Sequence, residues 1–579
     1  MAQVTAPGQP FEVVVEEVAG VPTRIWKHAV PTLDRVLAAS RTHGDRTFLV
    51  YEGEQTTFNG HLAAVAALAR SLRDDYGIVK GDRVAIAMRN YPEWVMSFWA
   101  TVSLGAVAVT LNAWWVGDEL EYGLTDSGAK VLVADAERLH RVEDRLAHLG
   151  IPAVVARPDG PLPRGVTDLA AVLAAGSGAG DLPDVELDPE DDATIMYTSG
   201  TTGFPKGAVG THRNMVSNLW SLLFRGALAA EMGEVPMFGG GPDAARPAVL
   251  LAVPLFHVTG SHSIMLPALH NGSKIVMMHK WDPERALELI EQERVTTFVG
   301  VPTMSWELLQ APSFATRDLS SVRAVTGGGA PMPPELGRRI AAALPSAGPG
   351  VGYGLTETSS LAASNNGADY LARPDSVGPP LPVVEVRIVD AGGDVAPGDV
   401  GEVWIKGPNV VRGYWGKPVE TAESLTDGWL HTGDIGRLDD DGYLYIVDRL
   451  KDVVLRGGEN VYCVEVEAAA YEHPAVGEAV VFGVPHDRLG EEVAIAVVPA
   501  AGRALSVDEL QAHLAGRMAR FKLPTYVWVL PGALPRNAAG KLVKREVREA
   551  LLRGANDGAA GSSGPRSQEA TDGAGGVAP

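Results

Sequence analysis

Residues 197–207 read YTSGTTGFPKG, a stretch with four serine and threonine hydroxyls, three glycines and one lysine. The apolar residues 193–197 come just before it and predict a buried strand that leads into a loop. Glycines let the main chain approach a ligand closely, and hydroxyls together with backbone N–H groups form a cradle for an anion. Lys206 adds a mobile charge, and Pro205 holds Phe204 extended, which predicts the lysine on a turn rather than in a helix. The stretch therefore predicts a polyphosphate-binding loop, and a Thr/Gly-rich surface loop is the alternative.

The composition is that of a globular protein with more than one core. Of 579 residues, 46% are hydrophobic and 21% are charged. The net charge of −22 gives no overall positive field, so nucleic acid is not an expected partner and local groups must hold any nucleotide. Cys463 is the single cysteine, which excludes an intramolecular disulfide framework and a cysteine-based metal cluster. We expect it to be a small buried side chain.

Neither the N-terminus nor the interior predicts a membrane protein. The first residues lack a basic region followed by an apolar run, so no secretory signal is expected. Residues 95–117 carry no charge, but Gly105 divides them into a part with helical spacing and a β-branched part. A buried helix followed by a buried parallel strand explains this pattern better than a transmembrane helix. We therefore expect a soluble, cytoplasmic protein.

Helical and strand patterns alternate through the first two thirds of the chain, which predicts parallel sheets covered by helices. Several predicted strands end in tight turns, and ligands bind at such carboxyl ends of strands, so the turns are expected to converge on one crevice. Residues 378–445 have short strands with Gly and Pro turns, which indicates a small β-barrel or sandwich-like subdomain. After the charged connector 448–452, a compact αβ unit includes a helix whose capping box is Ser506 and Glu509.

The predicted fold is therefore mixed α/β. A large N-terminal domain, residues 1–450, would contain two parallel-type αβ sheet subdomains and a β-barrel-like subdomain at about 378–447. A small mobile α+β domain would follow at residues 451–552. Residues 553–579 are rich in Gly, Ala and Ser and predict a disordered tail.

Three further motifs follow the first loop. Residues 353–358 read YGLTET, residues 432–434 read TGD, and residues 535–541 read PRNAAGK. Each is weak alone, because YGLTET could be a strand end with a solvated glutamate and Thr-Gly-Asp is usually a turn. Together and in this order, the four stretches resemble the adenylate-forming superfamily, which comprises acyl-CoA synthetases, aryl-CoA ligases, luciferases and the adenylation domains of peptide synthetases. The resemblance covers roughly residues 30–550.

The resemblance implies a nucleotide site. Glu357 would be the magnesium ligand, which suits a carboxylate beside a triphosphate. Thr356 would contact a phosphate or acyl phosphate, and Tyr353 would be a platform against adenine. Asp434 would accept both ribose hydroxyls, with Arg449 as its partner. The other implied nucleotide-binding residues are Thr198, Ser199, Gly200, Thr201, Thr202, Gly203, Lys206, Gly328, Gly329, Ala330 and Gly354.

The same resemblance implies roles near the C-terminus. Lys541 would be the adenylation lysine, which stabilises charge as the carboxylate attacks the α-phosphate. Lys451 would be the hinge about which the C-terminal domain turns between the two steps, and an ordinary surface lysine is the alternative. The loop that enters the active site for thioester formation would contain Gly457, Gly458 and Glu459. Besides Lys541, the implied catalytic residues are Lys206, Thr356, Glu357 and His257.

The implied acyl pocket is apolar or small. It offers no evident basic partner for a second carboxylate and no aspartate for an amino group. A medium- or long-chain fatty acid, or a bulky alicyclic or aryl acid, therefore fits better than an amino acid. His257 would close this pocket or could be a packed histidine. The pocket residues are His257, Val258, Gly260, Met304, Gly329, Met332 and Leu361.

The implied function is an ATP-dependent carboxylic acid:CoA ligase that uses ATP, Mg²⁺ and coenzyme A. It would form an acyl-adenylate and pyrophosphate, after which the thiol of coenzyme A would displace AMP. One alternative is a stand-alone adenylating enzyme that loads a separate carrier protein. A non-catalytic acyl- or nucleotide-binding protein is another, and a homodimer is left open.

Overall fold

The computed structural model describes residues 4–176, 181–198, 205–232, 247–330, 332–457, 459–486, 488–537 and 540–556. The chain divides into two compact units. The first comprises Met1–Met332, Leu336–Thr432 and Leu438–Tyr445, and the second comprises Pro333–Glu335, Gly433–Arg437 and Ile446–Pro579.

The N-terminal third alternates strands and helices. Its elements are β1 (Val13–Val18), β2 (Val21–Trp26), α1 (Leu33–Ala39), β3 (Thr47–Tyr51), β4 (Glu54–Thr57), α2 (Phe58–Asp74), β5 (Arg83–Ala87), α3 (Pro92–Ser103), β6 (Val107–Thr110), α4 (Gly117–Ser127), β7 (Val131–Asp135), α5 (Ala136–His140), α6 (Glu143–Leu149), β8 (Ala153–Ala156), β9 (Val166–Asp168) and α7 (Leu169–Ala175).

The alternation continues through the middle of the chain, with a π-helix at Ser261–Met265 and a 3₁₀ turn at Thr356–Thr358. The other elements are β10 (Asp192–Thr198), β11 (Lys206–Thr211), α8 (His212–Glu231), β12 (Ala248–Leu251), α9 (Val258–Gly260), α10 (Leu266–Asn271), β13 (Lys274–Met277), α11 (Pro283–Gln292), β14 (Thr297–Gly300), α12 (Pro302–Gln310), β15 (Ala324–Gly328), α13 (Pro334–Ala343), β16 (Gly348–Tyr353), β17 (Ala363–Asn366) and α14 (Gly367–Ala372).

Short strands dominate the next part, and a compact αβ region follows them. The elements are β18 (Glu385–Asp390), β19 (Gly393–Asp394), β20 (Gly401–Lys406), β21 (Gly413–Tyr414), α15 (Pro418–Ser424), β22 (Leu425–Thr426), β23 (Trp429–Leu438), β24 (Leu444–Arg449), β25 (Val454–Arg456), β26 (Glu459–Val461), α16 (Cys463–Tyr471), β27 (Val476–His486), β28 (Gly490–Pro499), α17 (Val507–Ala515), β29 (Tyr526–Val529) and α18 (Lys544–Asn556).

Two eight-stranded sheets form the framework of the first unit. One has the order β21-β11-β10-β6-β5-β7-β8-β9 and the other β17-β16-β15-β14-β12-β13-β3-β4. In the first, the pairs from β10 to β9 are parallel, while β10–β11 and β11–β21 are antiparallel. In the second, the pairs from β16 to β3 are parallel and the edge strands β17 and β4 are antiparallel. The prediction of two parallel-type sheets is confirmed.

Two further sheets have fewer strands and are mostly antiparallel. The short-strand region forms a six-stranded sheet in the order β19-β18-β20-β23-β22, with β24 paired to β23. In the second unit, β26-β25-β28-β27 form a sheet with β29 on β28. The predicted capping box at the start of α17 is confirmed, because the Glu509 amide donates to Ser506 Oγ and the Ser506 amide donates to Glu509 Oε2. Helix α18 continues to Asn556, beyond the predicted start of the tail, and residues 557–579 lie outside the described part.

The uncharged stretch 95–117 folds as the sequence predicts. It contributes most of α3 and the whole of β6, whose neighbours β5 and β10 run parallel to it. Trp94, Phe98 and Trp99 are fully buried, and the rings of Trp94 and Phe98 stack with centroids 5.5 Å apart. None of the helices in the described part of the chain combines the length and the apolar character needed to cross a membrane.

Phe98→Ala should lower the free energy of unfolding by about 3–5 kcal/mol, because the change leaves a cavity in the core beneath α3. Urea denaturation followed by tryptophan fluorescence would measure this loss. Val79→Ala is the control, because Val79 is 59% exposed and its truncation should cost less than about 0.5 kcal/mol. Equal effects of the two substitutions would contradict the assignment of α3 to the core.

Candidate active site

The antiparallel hairpin of β10 and β11 flanks the predicted phosphate loop. Ile195 and Met196 are buried, which confirms the predicted strand before the loop. The prediction that Lys206 lies on a turn is wrong, because Lys206 is the first residue of β11 and pairs with Thr198. The antiparallel pairing with β10 extends the strand to this position, and Thr198 Oγ1 donates to the Lys206 carbonyl at 3.4 Å. The predicted loop residues Ser199, Gly200, Thr201, Thr202 and Gly203 lie outside the described residues.

Tyr414 links two of the predicted site residues. It lies on β21, which pairs with β11, so its ring comes within 5.3 Å of Lys206 Nζ, measured to the ring centroid. Its hydroxyl donates to Glu357 Oε1 at 2.8 Å. Burial and the neighbouring Glu357 carboxylate raise the pKa of the Tyr414 phenol, so it stays protonated and donates this hydrogen bond. Tyr414 therefore contacts both Lys206 and Glu357.

The sequence did not predict Tyr414 as a site residue. The only local signal is a Gly-Tyr pair at residues 413–414, which does not indicate a site residue. Its importance depends on the pairing of β21 with β11, and the two strands are separated by about 200 residues.

The turn that carries Glu357 follows β16 and is held from several sides. The Thr358 hydroxyl accepts a hydrogen bond from the Leu355 amide at 2.8 Å. The Asn409 amide group donates to the carbonyls of Thr358 and Leu361, each at 3.1 Å. The Val411 amide donates to the Glu357 carbonyl at 2.9 Å. These bonds fix the direction in which the Glu357 side chain leaves the main chain.

Immediately after this turn the backbone is strained. Ser359 and Ser360 have φ values of 48° and 100°, which non-glycine residues rarely adopt. The Ser360 hydroxyl is hydrogen-bonded to that of Ser263 at 2.5 Å, and Thr358 Oγ1 donates to the Ser360 carbonyl. A Cβ added at Gly354 would lie 1.4 Å from that same carbonyl oxygen. Only glycine therefore fits at position 354.

A row of glycines lies at the carboxyl ends of three neighbouring strands, β14, β15 and β16. In the sheet, Gly300 pairs with Gly327 and Gly328 pairs with Gly352. Three of the predicted acyl-pocket side chains pack against these glycines, but not on the same face of the sheet. Met304 and Met332 lie on the face of Gly300 and Gly327, whereas Leu361 lies on the opposite face, which Gly328 and Gly352 share. A Cβ built on these glycines would lie 3.4 Å from Met304 Cβ at Gly300, 3.2 Å from Met332 Sδ at Gly327 and 2.9 Å from Leu361 Cδ1 at Gly352.

The other predicted site residues lie in and around α9 and at the ends of β15 and β16. His257 caps the start of α9, is half-buried, and has its ring 4.7 Å from the Phe256 ring. Val258 is half-buried, and Gly260 is buried against the Pro254 carbonyl. After β15, Gly329 is exposed with φ of 76° and Ala330 is half-buried; at the end of β16, Tyr353 is half-buried as well.

In the second unit, the predicted ribose pair is in contact. Arg449 Nε lies 3.1 Å from Asp434 Oδ1, and the Asp434 side chain is only 5% exposed. Lys451 follows β24 and is exposed. Gly457 has φ of 61° and its amide donates to the Leu489 carbonyl, and Glu459 is exposed on β26. Gly458 lies outside the described residues.

The loop that carries Lys541 is anchored by its neighbours. The Lys541 amide donates to Asn537 Oδ1 at 3.0 Å. Arg536 donates to the Gly540 carbonyl and to the Glu478 carboxylate on β27, at 3.1 and 2.6 Å. The contact with Glu478 ties the start of the loop to the sheet, and the other two bonds hold the ends of the loop together.

Comparison with known families identifies the chain. The family model for AMP-binding enzymes matches residues 36–415, and the model for the C-terminal domain of AMP-binding enzymes matches residues 465–541. The chain belongs to the AMP-binding enzyme family.

Similar proteins cover almost the whole chain. A feruloyl-CoA synthase from Amycolatopsis sp is 38% identical over 504 residues, which are 87% of this chain and 95% of that protein. A long-chain-fatty-acid–CoA ligase from Bacillus subtilis is 33% identical over 560 residues, covering 90% and 96% of the two chains. The solved o-succinylbenzoate CoA synthetase from Bacillus subtilis, in complex with its acyl-adenylate intermediate, is 29% identical with a TM-score of 0.72 and covers 89% and 97% of the chains.

These similarities confirm the predicted fold and class of enzyme. The protein is an AMP-forming acyl-CoA synthetase, that is, an adenylate-forming CoA ligase that uses ATP, Mg²⁺ and coenzyme A.

Gly354→Ala should lower the free energy of unfolding by about 3 kcal/mol, because its Cβ would overlap the Ser360 carbonyl. Gly328→Ala is the matched control: its Cβ would lie 3.5 Å from the Gly352 carbonyl oxygen, an ordinary contact, and should change stability by less than about 1 kcal/mol. Urea denaturation measures both. A tolerated alanine at position 354 would contradict the close approach of the two segments.

Proposed function

We propose that this enzyme activates a hydrophobic carboxylic acid, either a medium- or long-chain fatty acid or a bulky alicyclic or aryl acid, and transfers it to coenzyme A. The observation that carries the proposal is the row of glycines at the ends of β14, β15 and β16, where Met304 and Met332 pack against Gly300 and Gly327 on one face of the sheet. The missing Cβ atoms let these apolar side chains pack close to the main chain, so the surface at the strand ends is apolar. Such a surface favours a hydrocarbon or ring and leaves a second carboxylate or an ammonium group without a partner.

The names of two relatives agree with this substrate class. Feruloyl-CoA synthase and long-chain-fatty-acid–CoA ligase act, by their names, on an aryl acid and on a fatty acid. Their similarity to this chain supports both forms of the proposed acid.

Lys206, Tyr414 and Glu357 are proposed to form the phosphate side of the site. Glu357 would hold Mg²⁺, and the residues fit this ion because magnesium needs only one or two protein carboxylates when phosphates and waters complete its shell. The ion would supply positive charge to the triphosphate when bound. Tyr414 orients one Glu357 oxygen by its 2.8 Å hydrogen bond, and Lys206 would follow the phosphates from the first position of β11. Thr356 would contact the phosphate that bridges to the acid.

Different C-terminal residues are proposed to act in the two steps of the reaction. Lys541 would stabilise charge during adenylation, and Asp434 with Arg449 would bind the ribose. Lys451 would be the hinge, and Gly457, Gly458 and Glu459 would form the loop used for thioester formation. Because a carboxylate is a weak nucleophile and water competes with it, positioning in a closed site would contribute most of the acceleration.

Pyrophosphate release should be measured with a panel of acids, with and without coenzyme A. Octanoic, palmitic and 4-hydroxycinnamic acids represent the proposed class, and malonic acid and alanine are controls of similar chemistry with an added charge. We expect release with at least one hydrophobic acid, together with AMP and a CoA thioester. Release only with malonic acid or alanine would overturn the proposed substrate class. Acid-dependent release without a thioester would favour a carrier protein as the acceptor.

Lys541→Ala should lower the rate of adenylation by about 10²–10³-fold, because a positioned charge at the reacting phosphate is lost. Thioester formation from preformed acyl-adenylate and coenzyme A should stay close to that of the unmodified enzyme. Arg545→Met is the control, because the Arg545 side chain is 80% exposed on the following helix and should leave both rates unchanged. An equal loss of both half-reactions in Lys541→Ala would refute the role proposed for Lys541.

A further inference from the structure

A mostly buried ion pair in the second unit lies outside all of the roles proposed above. Lys544 is the first residue of α18, and its Nζ is 2.8 Å from Glu467 Oε1 on α16. The Lys544 nitrogen has no contact with solvent. Glu467 also accepts a hydrogen bond from the Val481 amide at 2.8 Å. Burying two charges costs free energy, so an ion pair of this kind is weak evidence for stability alone.

A second, more deeply buried carboxylate, Asp448, is hydrogen-bonded to Cys463, the first residue of the helix that carries Glu467. Asp448 is 2% exposed and accepts hydrogen bonds from the Arg449 amide, at 2.8 Å, and from the Cys463 amide. Burial raises the pKa of Asp448, and the Lys544 ammonium counteracts part of this rise. Burial alone would lower the pKa of Lys544, but Glu467 and Asp448 outweigh it and raise the value. Lys544 therefore stays charged and balances two acids.

The cluster joins three segments that the proposed mechanism uses. Asp448 is adjacent to Arg449 and three residues before Lys451, and the Cys463 thiol donates to the Asp452 carbonyl at 3.0 Å. Cys463 begins α16, directly after the segment that contains Gly457 and Glu459. Lys544 follows Lys541 by three residues. Helix α16 thus connects the three segments, because Cys463 at its start binds Asp448 and Glu467, one turn later, binds Lys544.

We propose that Lys544 is a positioning residue that holds these three segments in register through Asp448 and Glu467. This inference rests on the functions proposed above for Lys451 and Lys541. Without the cation, the buried carboxylate of Asp448 and the mostly buried one of Glu467 would lose a counter-charge, and at least one would take up a proton or move toward water. Either change would loosen the hydrogen bonds from Arg449 and Cys463 to Asp448. The rival account is a structural ion pair with no influence on the reaction.

The test compares Lys544→Met, which keeps the length of the side chain, with Lys544→Arg, which keeps the charge. The two half-reactions are measured separately in the full-length enzyme: pyrophosphate release from ATP and acid, and thioester formation from preformed acyl-adenylate. Lys544→Met should slow both by about 10²-fold, since small displacements of a catalytic group have effects of this size. Lys544→Arg should restore most of both rates. Arg545→Met, at the neighbouring exposed position, is the control.

Amide hydrogen exchange supplies a readout that needs no turnover. Lys544→Met should speed exchange in residues 446–463 and 540–543, while Lys544→Arg and Arg545→Met should not. Exchange in Lys544→Met that equals that of the unmodified chain would overturn the inference, and so would unchanged rates of both half-reactions. An unmodified chain that fails to adenylate any acid would instead count against the proposed function, and the exchange result would still stand.

A second variant covers the case in which Lys544→Met does not fold. Asp448→Asn keeps the shape and one acceptor oxygen but removes the charge that Lys544 balances. It should slow thioester formation and speed exchange at the Cys463 amide. Normal values of both would overturn the inference.

Discussion

The close contact of two stretches of main chain is the constraint on which the candidate active site depends. The Ser360 carbonyl oxygen occupies the space that a Cβ would need at Gly354. This contact requires the unusual backbone of Ser360, and the hydrogen bonds from Thr358 and Ser263 offset the cost of that conformation. The turn before Ser360 is therefore rigid, and Glu357 leaves it in one direction. Tyr414 then fixes the carboxylate itself.

Features with a local signal could be predicted from the sequence. The spacing of Trp94, Phe98 and Trp99 is that of a helix, the β-branched run after Gly105 is that of a strand, and both elements are present. The capping box at Ser506 likewise depends on residues three positions apart. The helix and its cap are defined by contacts between residues a few positions apart, so the sequence predicts them directly. The strand pairs with distant strands, but its β-branched run is a local signal of its conformation.

Contacts between distant segments could not be predicted in this way. Lys206 was expected on a turn because of Pro205, but the pairing of β11 with β10 makes it part of a strand. Tyr414 lies near Lys206 because β21 pairs with β11 at the edge of the same sheet. Asp448, Glu467 and Lys544 are ordinary charged residues in the sequence, and only the fold of the second unit brings them together. Charge patterns alone predict solvated faces, whereas here burial makes each charge depend on the others.

The same argument bears on the breadth of the acid site. Two of the three side chains that pack against the glycine row, Met304 and Met332, are methionines, whose unbranched side chains fill irregular space and adapt to different shapes. The rigid part of the site is the main chain at Gly300, Gly327 and Gly352, which cannot move without disturbing the parallel sheet. A site with a rigid main chain and adaptable apolar side chains discriminates strongly between charged and uncharged substrates but weakly between apolar shapes. The reason is that an unpaired buried charge costs far more than an imperfect apolar fit. The selection proposed above, for a hydrophobic acid with tolerance between chain and ring, would follow from that difference.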